Sequence, residues 1–140
     1  MKHLFTSVAS AGLLLFSMAA SQAAAQVHDD DSYYQSREEF YRGTQWRMRL
    51  FDRVRDDLNY VESKAFHGSD VARIDHTKTE LNELQGKMIA QQYDQRELDD
   101  VIGSLTTVVA DNRLDLHDRD MLSDDLSRVR DYREHHENWR

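Results

Sequence analysis

The spacing of apolar residues from Leu98 to Tyr132 (LDDVIGSLTTVVADNRLDLHDRDMLSDDLSRVRDY) constrains the fold more than any other feature of the chain. Leu98, Val101, Leu105 and Val108 recur at steps of three and four, and so do Leu122, Leu126 and Val129. That period puts side chains on one face of a helix. Asp111-Asn112 separates the two runs. Asn tolerates the left-handed backbone that ends helices. Asp115, with Asp118 three residues on, can accept from the free N–H groups that open the next helix. The pattern predicts a helical hairpin.

Punctuation extends this to the whole chain. There is no proline, and beyond residue 25 glycine occurs only at Gly43, Gly68, Gly86 and Gly103. A β-sandwich needs turn residues about every ten positions, so few, long helices are expected. The first 25 residues read differently. Lys2, the apolar run from Ala11 to Ala20 and the small-residue site Ala23-Ala24-Ala25 form a secretory signal, cleaved before Gln26. Its apolar run is too short for a spanning helix, so no stable membrane span is expected after cleavage. Without cysteine, an exported chain gains no disulfide or thiolate metal site, and its stability must come from packing.

One of the 18 basic residues, Lys2, lies in the signal, so the remainder carries 17 basic and 26 acidic residues, net −9. That surface argues against nucleic acid and against anionic membrane as partners.

In chain order, residues 26–35 (QVHDDDSYYQ) are polar and lack a helical period, which predicts a disordered tail. Ser36 and Glu39 form a capping box for a first helix, with a stripe of Trp46, Leu50, Val54, Leu58, Val61 and Ala65 running to about Phe66. Gly43 on this stripe marks a possible break, with His67-Gly68 as the C-terminal cap. Ser69 would cap a second helix bearing Val71, Ile74, Leu81, Leu84 and Met88, with a lapse at Thr77-Lys78. Asp94 with Glu97 would open the third helix. Residues 36–140 thus read as one all-α domain, an antiparallel four-helix bundle or a set of helical hairpins.

The runs WRMRLFDRVRDDL from Trp46, DQRELDDVI from Asp94 and DNRLDLHDRDMLSDDLSRVRDYR from Asp111 carry a likeness to known proteins. Over nearly the whole mature part the chain resembles a family of small secreted helical proteins of environmental bacteria, uncharacterised in activity. The resemblance implies export and a helical fold, and no functional residues. The periplasmic helical chaperones defined by an LTxxQ motif are similar in size and charge richness, but Leu105-Thr106-Thr107-Val108-Val109 lacks the Gln.

For chemistry, the chain has no cysteine nucleophile, glycine-rich phosphate loop, G-x-S-x-G or H-E-x-x-H, so no enzyme and no cofactor are expected. Asp111 to Leu122 has Asp at positions 1 and 5 of a calcium loop, but Arg113, Leu116 and Leu122 stand where ligands and the turn glycine belong. Cleavage before Gln26 would set a free amine, two peptide nitrogens and the His28 imidazole in a square plane suited to copper or nickel, with Gln26 and His28 as the metal residues. His135-His136 is a second metal candidate. Tyr33, Tyr34, Phe40 and Tyr41, with Trp46 and Phe51, crowd the start of the mature chain. The first four are the candidate partner-binding residues, for protein partners or unfolded clients in the envelope. The expected role is that of an exported, periplasmic or secreted, non-enzymatic protein that works by binding.

Overall fold

The computed structural model describes residues 17–65 and 67–139, with side chains from residue 30 onward. Most of the expected signal segment lies outside the described residues. Among those described are five α-helices and no strand: α1 Ser17–Arg42, α2 Leu50–Ser63, α3 Gly68–Ile89, α4 Gln95–Val109 and α5 Leu116–His135. A 3₁₀ turn, Trp46–Arg49, precedes α2, and another, His136–Asn138, follows α5. The fold is all-α. No described helix is long and apolar enough to cross a membrane.

The chain divides after Gly43 into two units. The first contains α1, and here three expectations are corrected. Residues 26–35, read as a disordered tail, are helical within α1. A missing apolar period says only that a helix has no buried stripe; it does not stop Ala, Gln, Glu and Arg from forming one when no Gly or Pro interrupts them. Ser36 and Glu39 lie inside that helix and do not open it. The boundary expected before residue 36 falls after Gly43 instead. The Gly43 N–H donates to the Glu39 and Phe40 carbonyls at 3.2 Å each. A Cβ at Gly43 would stand 3.2 Å from the Phe40 oxygen, so this close approach suits glycine.

The second unit is the bundle. α2 packs on α3, α3 on α4, α4 on α5, and α5 back on α2, closing an antiparallel four-helix ring. The predicted stripes meet at its centre. Leu50, Val54, Leu58, Leu81, Leu84, Leu98, Val101, Leu105, Leu122 and Val129 are fully enclosed. Removing such side chains from water supplies the main stabilisation, on the order of 1.5–3 kcal/mol each. The lapse in α3 is structural: Thr77 occupies a core position, and its hydroxyl donates to the Arg73 carbonyl at 2.9 Å. Charges are buried as well. Arg53 and Asp57 form a pair at 2.9 Å on α2, and Asp125 on α5 is completely covered. Its spacing of three from Arg128 would suit an ion pair on the outer face, but Asp125 faces inward.

Helix ends match the sequence where a side chain caps them. Asp94 accepts from Arg96 N and Glu97 N at 3.0 and 3.2 Å, and Asp115 from His117 N at 2.8 Å. Elsewhere they differ. α2 has 14 residues, about 21 Å at the usual rise, and ends at Ser63, while Phe66, the expected end of the stripe, lies outside the described residues. Gly68 opens α3 and closes nothing, while Ser69 turns its hydroxyl to Asp70 at 3.3 Å. α3 closes on paired bonds, Gln92 N to Lys87 O and Gln91 N to Met88 O, both 2.9 Å, which require Gln91 in the left-handed region at φ 58°.

Candidate functional site

The four aromatic candidates lie in the first unit, on one face of α1. Tyr33 and Phe40, and Tyr34 and Tyr41, are each seven residues apart, with Arg37 between them, so all five share a helical face. The burial pattern agrees. Asp30, Tyr33, Tyr34, Arg37, Phe40 and Tyr41 are half-buried, while Asp31, Ser32, Gln35, Ser36, Glu38, Glu39 and Arg42 are exposed. The rings meet edge to face, Tyr33 with Tyr34 at 6.3 Å and Phe40 with Tyr41 at 5.0 Å. The Arg37 guanidinium lies 4.7 Å from the Tyr41 ring centre. Trp46 and Phe51, grouped with these residues by sequence, belong to the second unit.

In the bundle, Trp46 and Phe51 belong to an aromatic end that the sequence does not announce. Trp46 meets Trp139 at 5.3 Å, Trp139 meets Tyr132 at 5.1 Å, and Tyr132 meets Phe51 at 5.1 Å. Burial pushes the Tyr132 hydroxyl above its ordinary range. His136 stacks on Tyr93 with ring centres 4.1 Å apart. Arg128 stands 5.0 Å from the Trp46 ring and Arg47 5.5 Å from it. The signal that could have found this cluster is weak: it joins residues about 90 positions apart, 46 and 139, with no local period.

The metal candidates separate. Gln26 and His28 lie within α1, where side chains are outside the described residues. His135 Nδ1 stands 3.0 Å from Asp131, whereas His136 is turned into the aromatic stack. Among the described residues no group of three His, Asp or Glu side chains is placed to hold a metal ion. The loop compared with a calcium site is held by arginine instead. Arg113 Nε meets Asp111 Oδ1 at 3.2 Å, and Arg73 meets Asp111 Oδ2 at 3.3 Å. The Arg113 guanidinium and N–H hold the Asp111 carboxyl down at about 2. A groove of about 360 Å³ between α3 and α4 is lined in part by His76, Glu80, Asp99 and Asp100. Three of these are already engaged, His76 with Glu80 at 3.1 Å and Asp99 with Arg133.

The fold and these surfaces define an acidic helical protein, with a four-helix bundle in one unit and a helix with a one-sided aromatic face in the other. Compared with family models, curated proteins and solved structures, the chain matches none.

Proposed function

We propose that the chain is an exported, non-enzymatic helical protein that works by binding a protein partner or unfolded clients in the cell envelope. The observation that carries this reading is the aromatic face of α1. A helix whose half-covered positions are Tyr33, Tyr34, Arg37, Phe40 and Tyr41, with Asp30 one turn before them, has the composition of recognition surfaces, where aromatic residues and arginine supply most of the contact energy. The reading includes the likeness to small secreted helical proteins and a location in the periplasm or outside the cell. It takes the bundle as the scaffold, since its core is filled by aliphatic side chains and its acidic loops are engaged with arginine.

A photo-crosslinking residue placed at Tyr34, compared with one at the exposed Asp56 of α2, tests it in the producing cell. Crosslinks to an envelope protein are expected at position 34 and not at 56. Tyr33→Ser with Tyr41→Ser should also weaken any suppression of client aggregation by the purified protein. Equal crosslinking at both positions, with no effect on aggregation, would remove the support.

A further inference from the structure

The helices of the bundle differ in what they bury. α4 buries only Leu98, Val101, Leu105 and Val108. α2 buries seven residues, and two of these are charged, Arg53 and Asp57. On α5, Asp118 and Asp125 are buried along with Met121, Leu122, Leu126 and Val129.

The charges collect along one seam. Asp118, Asp125 and Tyr132 follow one another at steps of seven in α5 and share a helical face. Lys64, at the end of α2, donates to Asp118 at 2.7 Å, and Phe51, near its start, meets the Tyr132 ring at 5.1 Å. This face of α5 is therefore turned to α2, with Asp125 midway between the two contacts. Asp57 is midway between Phe51 and Lys64 on α2, so the two aspartates stand about level across the seam. Both are completely covered, and Arg53 lies 2.9 Å from Asp57. All three are engaged in the closed bundle. The seam is also the side of the ring that no loop spans, because the loops join α2 to α3, α3 to α4 and α4 to α5.

A charged seam resists opening less than an aliphatic one. Its charges give up hydration on closing and regain it when water enters, and apolar replacement of such clusters often stabilises. The other three helices are tied to one another. Arg113 to Asp70 and Arg73 to Asp111 hold the start of α3 to the α4–α5 loop. Lys87 meets Glu97 at 2.6 Å between α3 and α4, and Arg133 holds Asp99 between α5 and α4. Outer bonds join α2 to α3 as well, Gln85 to Asp52 at 2.9 Å and Lys78 to Glu62, so what sets α2 apart is its interior. A 14-residue helix released from its neighbours is marginal in water, so release and unfolding of α2 go together.

We propose that α2 is a detachable element of the bundle: it leaves α5 and unfolds while α3, α4 and α5 stay packed, uncovering apolar side chains that the closed bundle keeps from water. Elements that move in switching proteins are drawn from such regions of low local stability. The inference concerns the bundle alone and is independent of the reading of α1.

Amide hydrogen exchange of the full-length protein, followed by NMR under native conditions, reads α2 and α4 separately. The slowest amides of residues 50–63 should exchange about tenfold or more faster than the slowest of residues 95–109. Asp99→Asn weakens the bond of α4 to Arg133 on α5, which is made whether α2 is docked or released. It should speed exchange in α4 several-fold and leave α2 unchanged. Replacing the whole cluster, Arg53→Leu with Asp57→Leu and Asp125→Leu, should slow exchange in α2 about tenfold. Equal rates for α2 and α4 in the parent, or acceleration of both by Asp99→Asn, would mean that the bundle opens only as a whole and would overturn the proposal. A triple variant with unchanged exchange in α2, or one that fails to fold, would overturn it too, since the charges would then not be what makes this seam the weak one.

Discussion

The two ends of the bundle are closed by different physics. At one end, where residues 64–67 and 110–115 link the helices, closure is ionic. Asp70 and Asp111 alternate with Arg73 and Arg113, and Lys64 reaches Asp118 at 2.7 Å across from α2 to α5. At the other end closure is by rings, Trp46 on Trp139 and Phe51 on Tyr132. Connectivity explains the difference. The ionic end already has two covalent loops and needs only directional contacts to set how they lie. The ring end has one loop, residues 90–94, while α2 begins and α5 finishes there with nothing joining them. Holding those unjoined ends takes non-directional burial of large surfaces, and aromatic side chains bury the most area per residue.

Both ends depend on the core between them. Leu105→Asp or Leu126→Asp would bury an unpaired charge at a cost of several kcal/mol, against a total stability of ~5–15 kcal/mol. Each variant should lose its helical circular dichroism, and a parent-like spectrum and melt would show the helix faces to be wrongly assigned. Trp139→Ala comes next. Loss of a buried indole costs about 3–5 kcal/mol, and its hydrogen-exchange footprint should centre on residues 46–51 and 132–138 with little change at 110–116.

At the ionic end, Asp70→Asn should cost about 1.5–3 kcal/mol, the range for bonds to charged groups, with the opposite footprint. Acid should act there in a defined window. The Asp111 carboxyl is held at about 2, below its ordinary 3.8, so its contribution is complete above pH 4 and is lost as pH falls toward 2. Amide exchange in residues 110–116 should rise across that window. Asp94 and Asp99 at the other end are also held below the usual carboxylate range by Lys87 and Arg133, but the Trp46, Trp139 and Phe51 rings that close it carry no ionisable group. Tryptophan fluorescence should therefore move less than exchange at the ionic end, and simultaneous loss of both would refute two separately closed ends.

The smallest effects stabilise. Gln91→Gly removes the left-handed strain at φ 58° and should add about 1 kcal/mol at the ring end. Gly103→Ala, mid-way along α4 with nothing within 4 Å of the new methyl, should add about 0.5–1 kcal/mol and leave the contrast between the ends unchanged. Denaturant midpoints measure both.

Local order determined what could be read directly. The period of Leu98, Val101, Leu105 and Val108 and the side chains of Asp94 and Asp115 act within one helix turn, so the helices α4 and α5 and their caps were legible from residues alone. The shared face of Tyr33, Tyr34, Phe40 and Tyr41 was implicit in their spacing of seven, although residues 26–35, Tyr33 and Tyr34 among them, were read as a tail. A polar helix with no buried stripe leaves no apolar period to detect. Tertiary structure decided the rest. Asp125 turned inward, Trp46 met Trp139 and His136 stacked on Tyr93 through contacts between residues far apart in the chain. Such contacts depend on which helix packs against which, and a pattern that repeats every three or four residues carries no record of that choice.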